Sequence, residues 1–179
     1  MRSDVSPPHL VSAADPSECY PVVEGVPVLI DDEKSLFSIE QFVSGATTTV
    51  PEVGRWTRRI KRLLPSINVN IKAESSFQRL VDMLPSPARV LVIGGRTRGD
   101  GTDVLYEASD IAIASTDVAS GPETDVICDA HDLPFQDETF DAVVAQAVLE
   151  HVADPHRCVA EIHRVLARGQ VVGLANDTL

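Results

Sequence analysis

The sequence predicts an α/β protein: a Rossmann-like, doubly wound and mostly parallel sheet in the second half of the chain, incomplete at its C-terminal edge, preceded by a small β hairpin and a helical attachment. Three observations carry this. From Arg89 onward, strand-type and helical runs alternate, the order that builds a parallel sheet covered by helices. Val90-Leu91-Val92-Ile93 is uniformly apolar, as a strand buried on both faces should be. It leads directly into Gly94-Gly95-Arg96-Thr97-Arg98-Gly99, so pliable backbone lies between a strand end and a helix starting near Val104 and Leu105.

The 179 residues suit one ordinary domain, or a small domain with an N-terminal attachment. We divide them into an N-terminal segment with the hairpin (1–50), a helical connector (51–87) and the partial sheet domain (88–179). No stretch approaches the roughly 18 uninterrupted apolar residues of a spanning helix, and no basic-then-apolar leader opens the chain, so neither a membrane nor export is expected and the reading is cytoplasmic. Cys19, Cys128 and Cys158 lack any C-x-x-C spacing; they are read as buried thiols, with no metal site. The formal charge of −12 is unevenly spread, acidic in residues 1–50 and 88–179 and basic in 51–87, which argues against a nucleic-acid partner for the C-terminal part.

Residues 1–16 mix Ser, Pro and Asp without periodicity and are expected to fray. In residues 20–30 two short β runs flank Glu24-Gly25, and the prolines point to an edge position. Residues 55–64 have helical periodicity, with Arg55, Arg58, Arg59 and Arg62 on one face and Trp56, Ile60, Leu63 and Leu64 on another; the basic face is read as solvated, with an acidic substrate, lipid or RNA contact as the alternative. A second helix presents Phe77, Leu80, Val81 and Leu84 at i, i+3, i+4 and i+7, and Pro85-Ser86-Pro87 ends it.

The end of a parallel strand beside a glycine loop is where doubly wound sheets take nucleotide-like ligands, although such a loop is equally a tight strand-to-helix turn. A second signal agrees. The strand starting at Ile111 ends at Asp117, about 20 residues past the glycines, where a carboxylate can accept from both ribose hydroxyls. A third run, 125–129, leads into Ala130-His131-Asp132-Leu133-Pro134-Phe135, and a fourth spans 140–148. Asp154-Pro155 supplies an N-cap and first-turn proline for a helix whose buried stripe is Cys158, Ile162, Val165 and Leu166; Arg157 and Glu161 are spaced as an i,i+4 pair, and Gly169 is placed to close the helix.

These segments resemble the class I S-adenosylmethionine-dependent methyltransferases of the broad bacterial group that reads Asp-Ala-x-x-Leu-Pro-Phe, Phe-Asp, Leu-Glu-His-Val and Glu-Ile-x-Arg-Val-Leu. All four strings occur in order, at 129–135, 140–141, 149–152 and 161–166. The resemblance covers positions 89–168. It implies bound S-adenosylmethionine, with Gly94, Gly95 and Gly99 near methionine and ribose, Asp117 on the ribose hydroxyls, and Asp129 and Ala130 flanking adenine beside His131. Gln146 and Ala147 would end the fourth strand by the sulfonium and the acceptor, an unidentified small molecule of open class, while His151 is read as a structural hydrogen bonder. Methyl transfer from a sulfonium is a direct displacement needing alignment and water exclusion rather than a universal catalytic side chain, so no catalytic residue is assigned. Residues 20–30 separately resemble the closing hairpin of zinc-ribbon-like modules found beside some methyltransferases, with the ribbon's cysteine pairs missing.

The sequence also departs from the group. Val92 stands where relatives carry an acidic residue and Arg96 where they carry glycine, placing a guanidinium near a cationic cofactor. Residues 118–124 are too few for the usual crossover helix. Val171-Val172-Gly173-Leu174 can make a fifth strand, and no residues follow for the last two strands of the class I sheet; a truncated domain and pairing of two chains through the open edge are the corresponding expectations. A degenerate relative serving as a cofactor-binding or interaction module is the alternative function. A nicotinamide-dependent oxidoreductase fits less well, because Gly94-Gly95-x-x-x-Gly99 is not G-x-G-x-x-G.

Overall fold

A computed structural model describes residues 8–13, 15–44, 67–146 and 148–175, to which the following statements refer. The helix read at 55–64 and Ala147 lie outside them. Among the described residues no helix is long and apolar enough to cross a membrane.

The second half folds around five parallel strands. β4 (Ala88–Ile93) is central, with β5 (Ile111–Asp117) on one side and β7 (Phe140–Gln146) on the other; β6 (Val126–Ile127) lies outside β5 and β8 (Leu166–Ala175) outside β7, giving the order β6-β5-β4-β7-β8. Alternation along β4 and β7 divides the core into two layers. Leu91, Ile93, Val143 and Ala145 pack with Cys158, Ile162 and Val165 of helix α4 (Pro155–Val165). Val90, Val92, Ala142 and Val144 face the other way, against Phe77 and Leu80 of α2 (Ile67–Met83) and Leu105 of the short α3 (Asp103–Glu107). Val92 therefore lies within an apolar layer, which accounts for a valine there.

The connection from β5 to β6 contains no helix, as its length requires. The expected fifth strand forms, but it starts earlier than the sequence suggests: α4 ends at Val165, Leu166 is already extended, and Gly169 lies inside β8 rather than at a helix cap. Leu166 thus packs on the core from a strand and not from the helical stripe. The N-terminus of α4 is built as expected, the Asp154 carboxylate accepting from the amides of His156 and Arg157 with Pro155 in the first turn.

The N-terminal region forms a three-stranded antiparallel sheet. β2 (Cys19–Val23) and β3 (Val26–Pro27) make the hairpin, with φ of +52° at Glu24 and +86° at Gly25 in a two-residue loop, the backbone signature of a type I′ turn. β1 (His9–Val11) pairs with β2, so part of the segment expected to fray is ordered; its three residues are all exposed, and main-chain pairing leaves no hydropathy pattern to read. Cys19 is exposed, contrary to its reading as buried, whereas Cys128 and Cys158 are buried.

The hairpin region also closes the main sheet. Val28 bridges Ile127 in parallel, the Leu29 amide donates to the Ile127 carbonyl at 2.8 Å, and Val28, Ile30 and Ile127 form a third core cluster joined by Phe37 and by Ile39 and Phe42 of α1 (Ile39–Val43). The β6 edge is covered by this chain's own N-terminal region.

Candidate functional site

Parallel register brings the ends of β4, β5 and β6 side by side. Ile93 pairs with Thr116 and Asp117 with Ile127, so Gly94, Asp117 and the residues after Ile127 emerge at one edge of the sheet. Gly94 has φ of +78°, a conformation open to glycine, and both its amide and that of Gly95 donate to the Thr116 carbonyl. Gly95 is needed for a different reason: a Cβ there would fall 1.9 Å from Ser115 Oγ, which already donates to the Gly95 carbonyl.

A cavity of about 620 Å³ opens at this edge, in the range of small-ligand sites. Its wall includes Gly94, Asp117, Asp129, Ala130 and His131, five of the eight residues singled out from sequence. Gly95 and Gly99 shape the loop without lining the cavity. The backbone of Gln146 ends β7, and its side chain lies outside the described residues. Sequence reasoning missed Leu36 and Phe37, which line the wall from the N-terminal region, and also Val118, Val148, Val152 and Ala153. The two N-terminal residues reach the site through contacts about 93 positions away in sequence, for which local pattern has no signal. His151 lines the cavity as well.

Asp117 is held without being used up. Its Oδ1 accepts from the Ala119 amide at 2.9 Å and its Oδ2 from the Arg96 amide at 3.2 Å, leaving further acceptor positions on both oxygens. Burial pushes its carboxyl above the ordinary range, against the pull of those amides and the Arg96 charge. The Arg96 backbone makes the contact with Asp117, and Arg96 is not among the cavity-lining residues; its side chain packs on Gly121, where a Cβ would meet Arg96 Cγ and carbonyl oxygen at 2.4 Å.

Asp129 is more heavily engaged. Oδ1 accepts from the His131 amide at 2.9 Å and faces His131 Nδ1 at 2.6 Å, while Oδ2 accepts from Ser35 Oγ at 2.6 Å and, at 3.4 Å, from the Leu36 amide. Burial alone would raise its carboxyl, but the bonds from Ser35 and His131 outweigh it and hold it below the usual carboxylate range. On the other side of the ring, His131 Nε2 accepts from the Asp154 amide at 3.1 Å. That contact makes Nδ1 the protonated nitrogen, so His131 ties the cavity wall to the start of α4.

The remaining motif residues brace the site from beneath. Leu133 is buried, Phe135 and Phe140 stack edge to face at 5.0 Å, and Asp141 accepts from the Arg89 amide. Glu161 accepts from the Leu133 amide, and Arg164 donates to the carbonyls of Leu133 and Phe135 and to Glu161. Glu161 therefore forms its ion pair with Arg164, at 2.7 Å, rather than the expected one with Arg157. Burial pushes the Cys128 thiol up to about 12.

Residues 99–173 match a family described as a methyltransferase domain. A phosphatidylethanolamine N-methyltransferase of Cereibacter sphaeroides is 46% identical over 48 residues, 27% of this chain and 24% of that protein. The ubiquinone/menaquinone biosynthesis C-methyltransferase UbiE of Desulfotalea psychrophila is 46% identical over 43 residues, 24% of this chain and 18% of its own length. Both matches span a quarter or less of the relatives. Among solved structures, a candidate S-adenosyl-L-methionine-dependent methyltransferase of Methanococcus maripaludis superposes with a TM-score of 0.51 at 15% identity, covering 67% of this chain and 60% of that one, a likeness of fold alone.

Proposed function

We propose that the chain, whose residues 99–173 match the methyltransferase-domain family and whose sheet is Rossmann-like, binds S-adenosylmethionine in the cavity beside Gly94, Asp117 and Asp129 and transfers its methyl group to a small-molecule acceptor. The observation that carries this reading is the convergence of a side-chain-free strand end, a carboxylate with unused acceptor positions and a second, well-held carboxylate on one cavity of about 620 Å³. Those groups suit an adenosyl ligand: two adjacent hydroxyls for Asp117, and an exocyclic amine and a ring nitrogen for Asp129 and the Ala130 backbone. His131 keeps Asp129 in place, and Gly94 leaves the main chain open toward the ribose and methionine. When bound, the sulfonium supplies the activated methyl group. The chain aligns and encloses it, with the apolar side chains of Ile93, Phe37 and Val152 keeping water from the cavity.

The acceptor is not fixed by the matched stretch. One relative is named as an N-methyltransferase and the other as a C-methyltransferase, which fits a shared cofactor half and a separately built acceptor half. Gln146 and Ala147, at the end of β7, are our candidates for the acceptor side. Pairing of two chains through the outer edge of β8 belongs to the same proposal, and light scattering across a concentration series reports it. Calorimetric titration with S-adenosylmethionine and S-adenosylhomocysteine tests the reading: binding of both is expected, and no heat from folded chain would leave a degenerate relative in its place.

A further inference from the structure

The N-terminal region comes closer to the cavity than a mere attachment needs to. Its path is fixed in register, because Val28 bridges Ile127 and the Leu29 amide bonds the Ile127 carbonyl, two positions before Asp129. The chain then turns on Asp31, whose carbonyl accepts from the amides of Lys34 and Ser35 and whose carboxylate pairs with Lys34 at 2.7 Å. That turn delivers Ser35 to Asp129, where the hydroxyl donates at 2.6 Å and in turn accepts from the Phe37 amide at 3.0 Å.

The Asp129 carboxylate offers four acceptor positions. Oδ1 is filled twice by His131, at 2.9 and 2.6 Å. Oδ2 has one strong partner, Ser35, and one long contact, the Leu36 amide at 3.4 Å, so the weakly used position belongs to the oxygen that Ser35 holds. Leu36 adds an independent observation. It lines the cavity yet is 70% exposed, an apolar side chain kept at the mouth without being covered by the protein.

We propose that residues 35–37 are part of the cofactor site, Ser35 as the positioning residue that aims Asp129 Oδ2 at the exocyclic amine of a purine and Leu36 as the apolar cover of the base. This rests on the cofactor reading above and extends it to base selectivity. The N-terminal region thereby acts as the third wall of the site, and the chain discriminates adenine from a base carrying an oxo group in place of the amine, since a carboxylate accepts from the first and repels the second.

The test is calorimetric titration of the full chain with S-adenosylhomocysteine and with S-inosylhomocysteine. The wild-type chain is expected to prefer the adenine compound. Ser35→Ala should weaken it about tenfold, the size of one charge-assisted hydrogen bond, and largely erase the preference, while Ser35→Thr, which keeps the hydroxyl, should restore both. Leu36→Ala, at an exposed position that does not threaten folding, should weaken both compounds by a similar few-fold factor. Unchanged affinity and preference in Ser35→Ala would overturn the proposal, as would tighter binding, which would mark the segment as a competitor for Asp129. A folded wild-type chain that binds neither compound would instead defeat the cofactor reading itself, and this inference with it.

Discussion

Asp117 and Asp129 share one cavity and differ in how the protein treats their charge. Burial raises the Asp117 carboxyl against the backbone amides of Ala119, Arg96 and Val118 and the nearby Arg96 charge, whereas Ser35 and His131 keep Asp129 ionised. Ribose hydroxyls donate to an ionised carboxylate and not to a protonated one, so adenosyl affinity should fall with acidification, starting above the pH range of an ordinary aspartate, as Asp117 takes up its proton. Asp129, with its lowered value, adds nothing in that window. Asp117→Asn should remove this pH dependence and weaken binding about tenfold or more. It should also lower the melting temperature of the free chain, because the asparagine NH2 meets one of the two backbone N–H donors that the carboxylate oxygens accept from, a cost only partly offset by removing a buried charge. Calorimetry from pH 4 to 8 and a thermal melt check the two halves; a pH profile unchanged in the variant would remove Asp117 from the site. Gly95 is constrained by space rather than charge. Gly95→Ala should cost about 1–3 kcal/mol by overpacking against Ser115 Oγ, and Ser115→Ala in the same chain should return part of it, a coupling readable from chemical denaturation of the two single variants and the double.

At the level of elements, the structure separates what a local pattern encodes from what long-range contact decides. The hairpin was readable because Glu24-Gly25 sits between two β runs, whereas its I′ turn type was not, and glutamate suits a φ of +52° poorly. Glu24→Asn should therefore raise stability by roughly 0.5–1 kcal/mol, seen as a higher denaturation midpoint with an unchanged slope. The sheet strands and the glycine loop were legible for similar reasons: uniform apolar runs and an absence of side chains are statements about short windows. β1 was not, since an exposed three-residue strand is held by backbone bonds that any residues can make. The end of α4 was misjudged because Gly169 is a good helix terminator in isolation, whereas here parallel pairing with β7 starts already at Leu166. Of the cavity-lining residues, Gly94 and Asp117 could be found because they stand at the ends of recognisable strands, and Asp129, Ala130 and His131 because the string at 129–135 resembles a known family. Ser35, Leu36 and Phe37 could not, because their link to the cavity is made by contacts distant in sequence, the packing of Val28 and Ile30 on Ile127 and the bonds from Ser35 and Leu36 to Asp129. The motif string at 133–135 and 161–164 was legible as a signature, while its physical role as a brace emerged only with the bonds from Arg164 to two carbonyls. Arg164→Met should cost about 2 kcal/mol, those carbonyls and Glu161 losing their donor in a partly exposed setting.

Over the whole molecule, the three core clusters meet on one sheet: two cover its faces, and the third joins the N-terminal region to β6. No described boundary between the N-terminal sheet and the parallel sheet is free of buried apolar contact, since Val28, Ile30 and Ile127 are all 2% exposed or less. Such an arrangement should unfold as one unit, with fluorescence and circular dichroism reporting coincident transitions. Adenosyl ligands that bind the folded chain alone then stabilise both regions together. At a free concentration of 100 times Kd the gain is about 2.7 kcal/mol, or roughly 5–10 °C in melting temperature for a chain of this size. Ile30→Ala gives the discriminating case. It removes a fully buried side chain that does not line the cavity and should cost about 3 kcal/mol, but because Ile30 fixes the path of the segment that carries Ser35, it should also reduce the ligand-induced shift. A destabilised variant whose shift with S-adenosylhomocysteine equals that of the wild-type chain would show that the N-terminal region folds onto the sheet without taking part in the site.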